Sequence, residues 1–461
     1  MRALALLLLA PAALAQGLRN PSFDEGLDGW TRETGAHHGG AEPASRVDPA
    51  DGALRLSGDD DTVAWRMAVQ AVPCPPGRRV VLRVTAWSEG LRKAPRQYAN
   101  ANGLLLFRDA AGARLGLVTT PVLTGDRARV DLFACAFAPE GTATVAVGVF
   151  SSMTGVAWFD DVRLEITEPG DTAAALSSLR LHLERTYPFW DLPGRPKPED
   201  LPLDPKKPLV AALVAMLAPL EDGHVWIDTP LGRVPATPAP PRKPNWHDKA
   251  LRQRLEVVHE KDGHLVGRLG DVAFARIGNF REGFDALEKA MDGLDGARAW
   301  ILDVRQNGGG DETLAWRIVR RFQREPIEHG FVRVRDPTLP GLSGFGPRTP
   351  RRLDPGEGVP DRRPVVVLQG PYGMSSTETF LLMMGRLGSV TTVGHGTRGS
   401  SGNPAPFPIA PGVEVWAPTC LYLRPDGEPV EGNGVAPDVR VEGSHQRDDP
   451  TLVAALDLLA R

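Results

Sequence analysis

The chain has 461 residues, which is too long for one ordinary hydrophobic core and predicts a multidomain protein. Its hydrophobic content of 42% and charged content of 24% are typical of globular proteins, and its 50 glycines and 43 prolines favour β-structure and turns over a helical bundle. The net charge of −4 gives no support to a basic nucleic-acid-binding surface, so nucleic acid is not an expected partner.

The N-terminal residues contain one arginine, an apolar run and the small-x-small sequence Ala13-Leu14-Ala15. This pattern predicts a secretory signal peptide over residues 1–15, cleaved after Ala15. An uncleaved N-terminal anchor is the alternative, although the apolar run is shorter than the ~20 residues that span a bilayer. We therefore expect an exported protein, periplasmic or extracellular, with no transmembrane segment after cleavage.

Three cysteines, Cys74, Cys135 and Cys420, are too few for a disulfide framework. The first two fall on predicted strands of the N-terminal part, so one bridge between them is compatible with an exported protein. No cysteine–histidine spacing resembles a zinc site, and we expect neither a metal nor a cofactor.

Residues 16–168 are predicted to form an all-β domain, because β-branched or alternating runs such as Val80–Trp87 and Thr144–Phe150 are separated by turns. The segments Asn20–Trp30 and Ala157–Ile166 resemble those of carbohydrate-binding-module-like jelly rolls. That resemblance implies a jelly-roll β-sandwich, with a carbohydrate or cell-surface ligand as one alternative and a spacer role as another. Four tryptophans could form a sugar-stacking platform or sandwich core, and we expect core: Trp30, Trp65, Trp87 and Trp158.

A linker at 168–171 separates this domain from a predicted helical subdomain over residues 171–245. Its helices are expected at Thr172–Tyr187 and Pro208–Leu220, with proline-rich connections beside them. Over residues 246–461 a hairpin is followed by alternating strands and amphipathic helices. This order predicts an α/β core with a largely parallel sheet.

Ser375 follows a buried strand and a Gly-Pro-Tyr-Gly turn, and it precedes an apolar helical stripe. Unpaired backbone N–H groups and the positive end of the helix dipole gather at such a position, which suits a developing oxyanion. The alternative is structural, because Ser375 and Glu378 also fit an N-terminal capping box.

The segment Asp303–Gly310, with the sequence DVRQNGGG, follows another predicted strand. Consecutive glycines let backbone N–H groups approach a ligand closely, so the run could cradle an oxyanion. It lacks the spacing of a dinucleotide-binding or phosphate-binding loop, and an ordinary turn is the alternative.

Asp-Gly-His occurs twice. His264 lies in the tight turn of the predicted hairpin and is expected to be exposed to solvent. His224 lies between an apolar helix and a strand, where a side chain can point into a cleft. His395, between two glycines of a loop, is a third and weaker candidate.

Five segments in order resemble the C-terminal-processing, or tail-specific, serine peptidases, and most of all their tricorn-core and retinoid-binding-protein-like branch. The similarity covers 171–461, and the segments are Glu221–Ile227, Asp303–Gly310, Gly373–Phe380, Val393–Gly402 and Glu431–Val439. The resemblance implies a crotonase- and Clp-like α/β spiral core. The peptide-binding module that many members carry has no room between Ile227 and Val272.

The resemblance implies that Ser375 is the nucleophile. Much of the family uses a lysine base within a T-x-G-K-G loop, but here Ser400 stands in the place of that lysine. No lysine follows Lys289, and Arg398 cannot act as the base because a guanidinium stays protonated. A Ser-Lys mechanism is therefore excluded.

The other branch uses histidine with glutamate, which implies that His224 is the base and Glu431 the carboxylate that orients it. Asp222 is a competing carboxylate. Gly223 stands where the tricorn core has a serine, so one polar support of the site is missing.

The expected oxyanion hole combines the backbone N–H of Ser376 with that of Gly308 or Gly309. The sequence thus predicts an exported serine peptidase that hydrolyses peptide or protein substrates through an acyl-enzyme. An inactive peptide- or ligand-binding scaffold of the same fold is the alternative, and an esterase with the same centre is a third.

Overall fold

The computed structural model describes residues 17–36, 46–50, 52–58, 64–93, 100–237, 242–339, 344–442 and 447–460. The predicted signal peptide lies outside these residues. Within them, no helix is both long enough and apolar enough to cross a membrane.

The N-terminal domain is a β-sandwich of two five-stranded antiparallel sheets, with strand orders β1-β4-β9-β6-β7 and β2-β3-β10-β5-β8. Alternate residues point inward and fill a common core, as the period of two along a strand requires. The sandwich is as predicted, and its jelly-roll assignment stays a prediction. The strands are β1 Thr31–Ala36, β2 Arg46–Ala50, β3 Ala53–Gly58, β4 Ala64–Pro73, β5 Arg79–Arg92, β6 Ala101–Arg108, β7 Arg114–Thr119, β8 Gly125–Phe137, β9 Thr144–Ser151 and β10 Thr154–Thr167.

The four tryptophans of the sandwich do not share one face. Trp30 is buried in the core, as expected. Trp65 is half-buried beside Phe150, 6.3 Å between ring centroids, on the outer face of the first sheet. Trp87 and Trp158 are directly opposite on β5 and β10 and stack at 6.0 Å on the outer face of the second sheet. The core expectation thus holds for Trp30 alone, and the four do not form a common platform.

Cys74, Cys135 and Cys420 are free, buried thiols, so the bridge that the sequence allowed is not formed. Cys74 packs into the interior of the sandwich, whereas Cys135 faces the other side of its sheet, towards the next domain. Burial raises the pKa of each of these two thiols to about 11.

The helical subdomain shares a hydrophobic core with both of its neighbours. Its helix α1 packs against the outer face of the sandwich and against strand β21 near the C-terminus, and the buried Arg79 of the sandwich donates to the carbonyl of Ile409. Strand β11, just after His224, pairs with β22 in a sheet of order β12-β11-β22-β21. The elements are α1 Thr172–Thr186, α2 Leu209–Leu217, the 3₁₀ helices Pro198–Asp200 and Ala218–Leu220, β11 Trp226–Thr229, β12 Gly232–Pro235, β21 Ala405–Ala410 and β22 Val413–Ala417.

The C-terminal core contains a seven-stranded sheet of order β13-β14-β15-β16-β19-β20-β24, in which the pairs from β15 to β24 are parallel. A smaller sheet has the order β18-β17-β23. The strands are β13 Glu256–Lys261, β14 His264–Leu269, β15 Val272–Arg276, β16 Ala299–Asp303, β17 Ile327–Val334, β18 Thr349–Leu353, β19 Val365–Gln369, β20 Val390–Gly394, β23 Cys420–Leu423 and β24 Val439–Arg440.

Helices cover both faces of the seven-stranded sheet. Alternate strand residues pack against α4, α5 and α6 on one face and against α3 and α7 on the other. The predicted parallel α/β order is therefore confirmed, while the crotonase- and Clp-like spiral stays a prediction. The helices are α3 Asp248–Arg252, α4 Phe284–Asp292, α5 Glu312–Arg320, α6 Ser376–Met384 and α7 Pro450–Leu459.

The expectation that His264 is exposed is wrong. The hairpin turn consists of Asp262 and Gly263, both with positive φ, so His264 is already the first residue of β14 and faces inward. Its side chain is buried, with Nε2 2.8 Å from the carbonyl of Glu282 and Nδ1 accepting from the Gly278 N–H at 3.3 Å. Its partners are backbone groups, which indicates a structural role.

Candidate active site

Strands β16 and β19 are parallel neighbours, so the loops that follow them leave the same edge of the sheet. The loop after β16 carries the glycine run, and the loop after β19 carries Ser375. The order of strands thus brings together two segments that are far apart in the sequence.

Ser375 has φ +56° and ψ −129°, a conformation that is rare for a residue with a side chain. Its backbone N–H donates to the carbonyl of Ser400 at 2.8 Å, and its side chain makes no capping hydrogen bond to α6. The capping-box alternative is therefore not realised. Strain of this kind is concentrated at functional sites, where it exposes a side chain to a cleft.

Glu378 does not complete a capping box with the side chain of Ser375. Its buried carboxylate accepts from the Thr397 hydroxyl at 2.7 Å and from the N–H groups of Gly399 and Ser400 at 2.6 and 3.1 Å. Burial raises its pKa to about 7, against the effect of these three donors. Glu378 thus fixes the loop over residues 397–400 beside Ser375.

The glycine run lies directly against Ser375. A Cβ on Gly309 would be 2.7 Å from the Cβ of Ser375, and Gly309 has φ +95°, so only glycine fits there. Its N–H donates to Asn307 Oδ1 at 2.8 Å and is therefore not available to a ligand. In the described part of the chain, the N–H groups of Gly308 and Ser376 make no such bond.

A buried ion network supports the start of the glycine loop. Arg305 is fully buried and bonds to Asp303 at 2.9 Å and to Asp449 at 2.8 Å, and Arg276 also reaches Asp303. The two guanidinium groups keep the pKa of Asp303 below its usual value in spite of burial. These side chains shape the loop and do not line the cavity next to Ser375.

His224 is 5% exposed and is held at two points. Its backbone N–H donates to Asp222 Oδ1 at 2.8 Å, and its ring Nδ1 lies 2.8 Å from Ser400 Oγ. Burial, and to a smaller extent the charge of Arg398, lowers the pKa of His224 to about 4. The imidazole is therefore neutral at pH 7.

The carboxylate of Glu431 bonds to other groups than the imidazole. One oxygen accepts from Arg195 at 2.6 Å and the other from the Ser401 N–H at 2.9 Å. Burial and the nearby Asp222 raise the pKa of Glu431. The expected direct orientation of His224 by Glu431 does not correspond to any hydrogen bond among the described residues.

Asp222, the competing carboxylate, contacts the main chain of His224 and not its ring. Its second oxygen accepts from the Tyr187 hydroxyl at 2.9 Å, and burial raises the pKa of the carboxyl. Asp222 thus fixes the backbone turn that carries the imidazole.

A cavity of about 700 Å³ brings the predicted residues together. His224, Ser375, Ser376 and Gly308 all line it, whereas Glu431 and His395 are not among its lining residues. The rest of the wall combines apolar side chains with polar ones, among them Arg233, Arg281, Glu312, Arg398 and Tyr422. This volume lies within the range of ligand-binding clefts.

The contact of the Ser400 hydroxyl with the imidazole was not expected from the sequence. Ser400 was noted only as the residue that replaces a lysine, yet its side chain is the hydrogen-bond partner of the His224 ring. Two differences from the family pattern could have indicated this contact: Gly223 before the histidine and Ser400 in the position of the lysine.

Residues 271–441 match the family model of peptidase family S41. The fold is similar to that of a protein from Parabacteroides merdae ATCC 43184 described as a candidate peptidase, with 24% identity, a TM-score of 0.54, and coverage of 64% of this chain and 97% of that one. The photosystem II D1 C-terminal processing protease gives 14% identity, a TM-score of 0.39, and coverage of 59% and 93%. The tricorn protease has 22% sequence identity and a TM-score of 0.32, and the match covers 41% of this chain and 18% of that one. No curated protein sequence matches this chain. The family-model match confirms the resemblance to a peptidase family over residues 271–441.

Proposed function

Because residues 271–441 match peptidase family S41, we propose that this protein is a serine peptidase. In this proposal Ser375 is the nucleophile and His224 is the general base. The observation that carries the proposal is the shared cavity: a strained serine at a helix N-terminus and a buried, neutral histidine line the same cleft. Peptides or proteins are the expected substrates, because the family match is to a peptidase.

The reaction would begin when Ser375 Oγ forms a bond to the scissile carbonyl carbon and its proton passes to Nε2 of His224. The proton then goes to the leaving amine as the C–N bond breaks, and water hydrolyses the acyl-enzyme by the same proton path. A neutral imidazole is required at the first step, and the lowered pKa of His224 keeps it in that form.

The negative charge on the carbonyl oxygen would be stabilised by the N–H groups of Ser376 and Gly308. Ser376 is the first residue of α6, so the positive end of the helix dipole adds to its donor. The hydroxyl of Ser376 donates to the Gly310 carbonyl at 2.6 Å, which ties the helix N-terminus to the glycine run. This bond supports a preorganised arrangement of the two donors.

The role of Glu431 stays a prediction, and its contacts favour an indirect one. Its carboxylate holds the Ser401 N–H and Arg195, next to the loop that contacts His224. Export to the periplasm or the cell exterior is likewise a proposal, which rests on the predicted signal peptide of residues 1–15.

The test is to incubate the purified mature protein with a mixed peptide library and a panel of simple esters, and to identify the products by mass spectrometry. We expect peptide cleavage by the wild-type protein and none by Ser375→Ala, whose fold is checked by circular dichroism. Cleavage of esters without cleavage of peptides would contradict the peptidase proposal and favour an esterase. A folded wild-type protein without either activity would favour the inactive binding scaffold.

A further inference from the structure

We propose that Ser400 is the positioning residue of His224: its hydroxyl oxygen accepts the Nδ1 proton of the imidazole and leaves the Nε2 lone pair free to act on Ser375. The inference rests on the proposed function, because it assigns the tautomer that a general base at this site must have. It gives the orienting role to a neutral hydroxyl in place of the carboxylate of Glu431.

Ser400 is hydrogen-bonded to both His224 and Ser375. Its Oγ lies 2.8 Å from Nδ1 of His224, and its carbonyl accepts the backbone N–H of Ser375 at 2.8 Å. Its own N–H donates to the buried Glu378 at 3.1 Å, and the residue is 3% exposed. One buried residue therefore contacts both His224 and Ser375.

The nearby carboxylates are engaged elsewhere. Glu431 accepts from Arg195 and Ser401, and Asp222 accepts from Tyr187 and from the main chain of the histidine. In the described part of the chain, the hydrogen-bond partner of Nδ1 is the Ser400 hydroxyl. A serine hydroxyl can either donate to Nδ1 or accept from Nδ1–H, and a general base at Nε2 requires the second arrangement.

Gly223 makes room for this contact. A Cβ at position 223 would be 3.1 Å from the Ser400 hydroxyl and 2.6 Å from Nη2 of Arg398. The absence of a side chain before His224 and the presence of a serine at position 400 are thus two parts of one arrangement. The polar partner of the imidazole is supplied by the loop over residues 397–400.

A hydroxyl partner has a chemical consequence. A carboxylate on Nδ1 would stabilise the imidazolium and raise the pKa of the ring, whereas a neutral hydroxyl that accepts from Nδ1–H holds this tautomer with little effect on the pKa. Such a partner suits a histidine that is deeply buried and lies near the positive charge of Arg398.

The test uses the full mature protein with ¹⁵N-labelled histidine, and His224→Gln identifies the signals of this ring. In the wild-type protein at pH 7 we expect the Nδ1–H form, and in Ser400→Ala a shift of population towards Nε2–H. We also expect kcat to fall about 5- to 20-fold with KM within about twofold, since one neutral hydrogen bond is lost. Ser400→Thr, which keeps the hydroxyl, should restore the tautomer and most of kcat.

Ser401→Ala is the matched control. Ser401 is the neighbouring buried serine, and its hydroxyl has no hydrogen-bond partner among the described residues. Removing that hydroxyl should change neither the tautomer nor kcat.

A wild-type ring in the Nε2–H form, or a Ser400→Ala protein with an unchanged tautomer, would overturn the inference. The tautomer is measured without turnover. A tautomer that depends on Ser400 in a protein that cleaves no peptide would therefore uphold the positioning and refute the peptidase alone.

Discussion

The protein contains the tripeptide Asp-Gly-His twice, at residues 222–224 and 262–264, and gives it two different structures. In the first, the aspartate is buried and caps a turn before β11, and the histidine ring meets Ser400 at the edge of a cavity. In the second, the aspartate and glycine form the hairpin turn, and both ring nitrogens of the histidine lie against backbone groups.

Burial does not distinguish these two histidines. Both are almost fully buried, and burial lowers the pKa of both. What differs is the set of ring partners: backbone groups bond to both nitrogens of His264, whereas His224 has a side-chain hydroxyl on Nδ1 and lines a cleft with Ser375. The two histidines therefore differ in the partners of the ring and in its access to a cavity, and not in burial.

The largest difference is expected from the histidines themselves. His224→Gln should reduce kcat/KM by on the order of 10³-fold or more, because the general base is removed. His264→Gln should leave kcat/KM within about threefold and lower the free energy of unfolding by about 1–3 kcal/mol, since a buried hydrogen bond is lost. Peptide hydrolysis and urea unfolding of both variants measure the contrast, and similar losses of activity would contradict it.

A second contrast uses two glycines with positive φ. Gly309→Ala should reduce kcat about 10²- to 10³-fold, because the new Cβ would be 2.7 Å from that of Ser375 and would displace the oxyanion hole. In the hairpin turn, a Cβ at position 263 would have no neighbouring atom closer than 3.5 Å. Gly263→Ala should therefore lower the free energy of unfolding only by the ~1–2 kcal/mol that a left-handed alanine costs.

Steady-state kinetics and thermal melts separate these two effects. Full activity of a folded Gly309→Ala protein would show that the glycine run does not form part of the site.

Much of the fold followed from the sequence, because it depends on local periodicity. The strands before the glycine run and before Ser375, and the helices after them, were predicted from the spacing of apolar residues. The error at His264 came from one residue of register: the turn is complete at Gly263, so the next side chain faces the core.

The details of the site could not be derived in the same way. The contact of Ser400 with His224 joins residues 176 positions apart, and the diversion of the Gly309 N–H to Asn307 depends on the exact shape of a loop. No local pattern encodes such distances. The two oxygens of Glu431 could be assigned to Arg195 and Ser401 only once the tertiary structure was known.

The two aspartates provide a smaller contrast. Asp222→Asn replaces an acceptor oxygen by an NH₂ group that faces a donor, either the Tyr187 hydroxyl or the His224 N–H. We expect about a tenfold lower kcat and a loss of about 1–2 kcal/mol in stability, as for an unsatisfied buried group. Asp262→Asn should leave kcat unchanged and alter the free energy of unfolding by no more than about 0.5 kcal/mol, because asparagine tolerates the same turn. Steady-state kinetics and chemical denaturation of the two variants measure these effects. An Asp222→Asn protein with unchanged kcat and stability would contradict the role of this turn.

The smallest expected effect concerns pH. Burial lowers the pKa of both histidines, that of His224 to about 4, while an unfolded histidine titrates near 6.5. The contribution of His224 to stability is complete above about pH 6.5 and is lost as the pH falls towards 4, because the unfolded chain then binds a proton that the native state does not. His224→Gln should flatten this dependence, and melts at pH 7 and 5 would reveal it. An equally steep loss in that variant would contradict the lowered pKa.

The most direct test of the account is the position of a fluorophosphonate adduct. Wild-type protein, His224→Gln and His264→Gln are treated with the probe at pH 7, and the modified residue is located by tandem mass spectrometry. We predict a single adduct on Ser375 in the wild type and in His264→Gln, and almost none in His224→Gln. An adduct on another residue, or equal modification of Ser375 without His224, would contradict a serine nucleophile activated by this histidine.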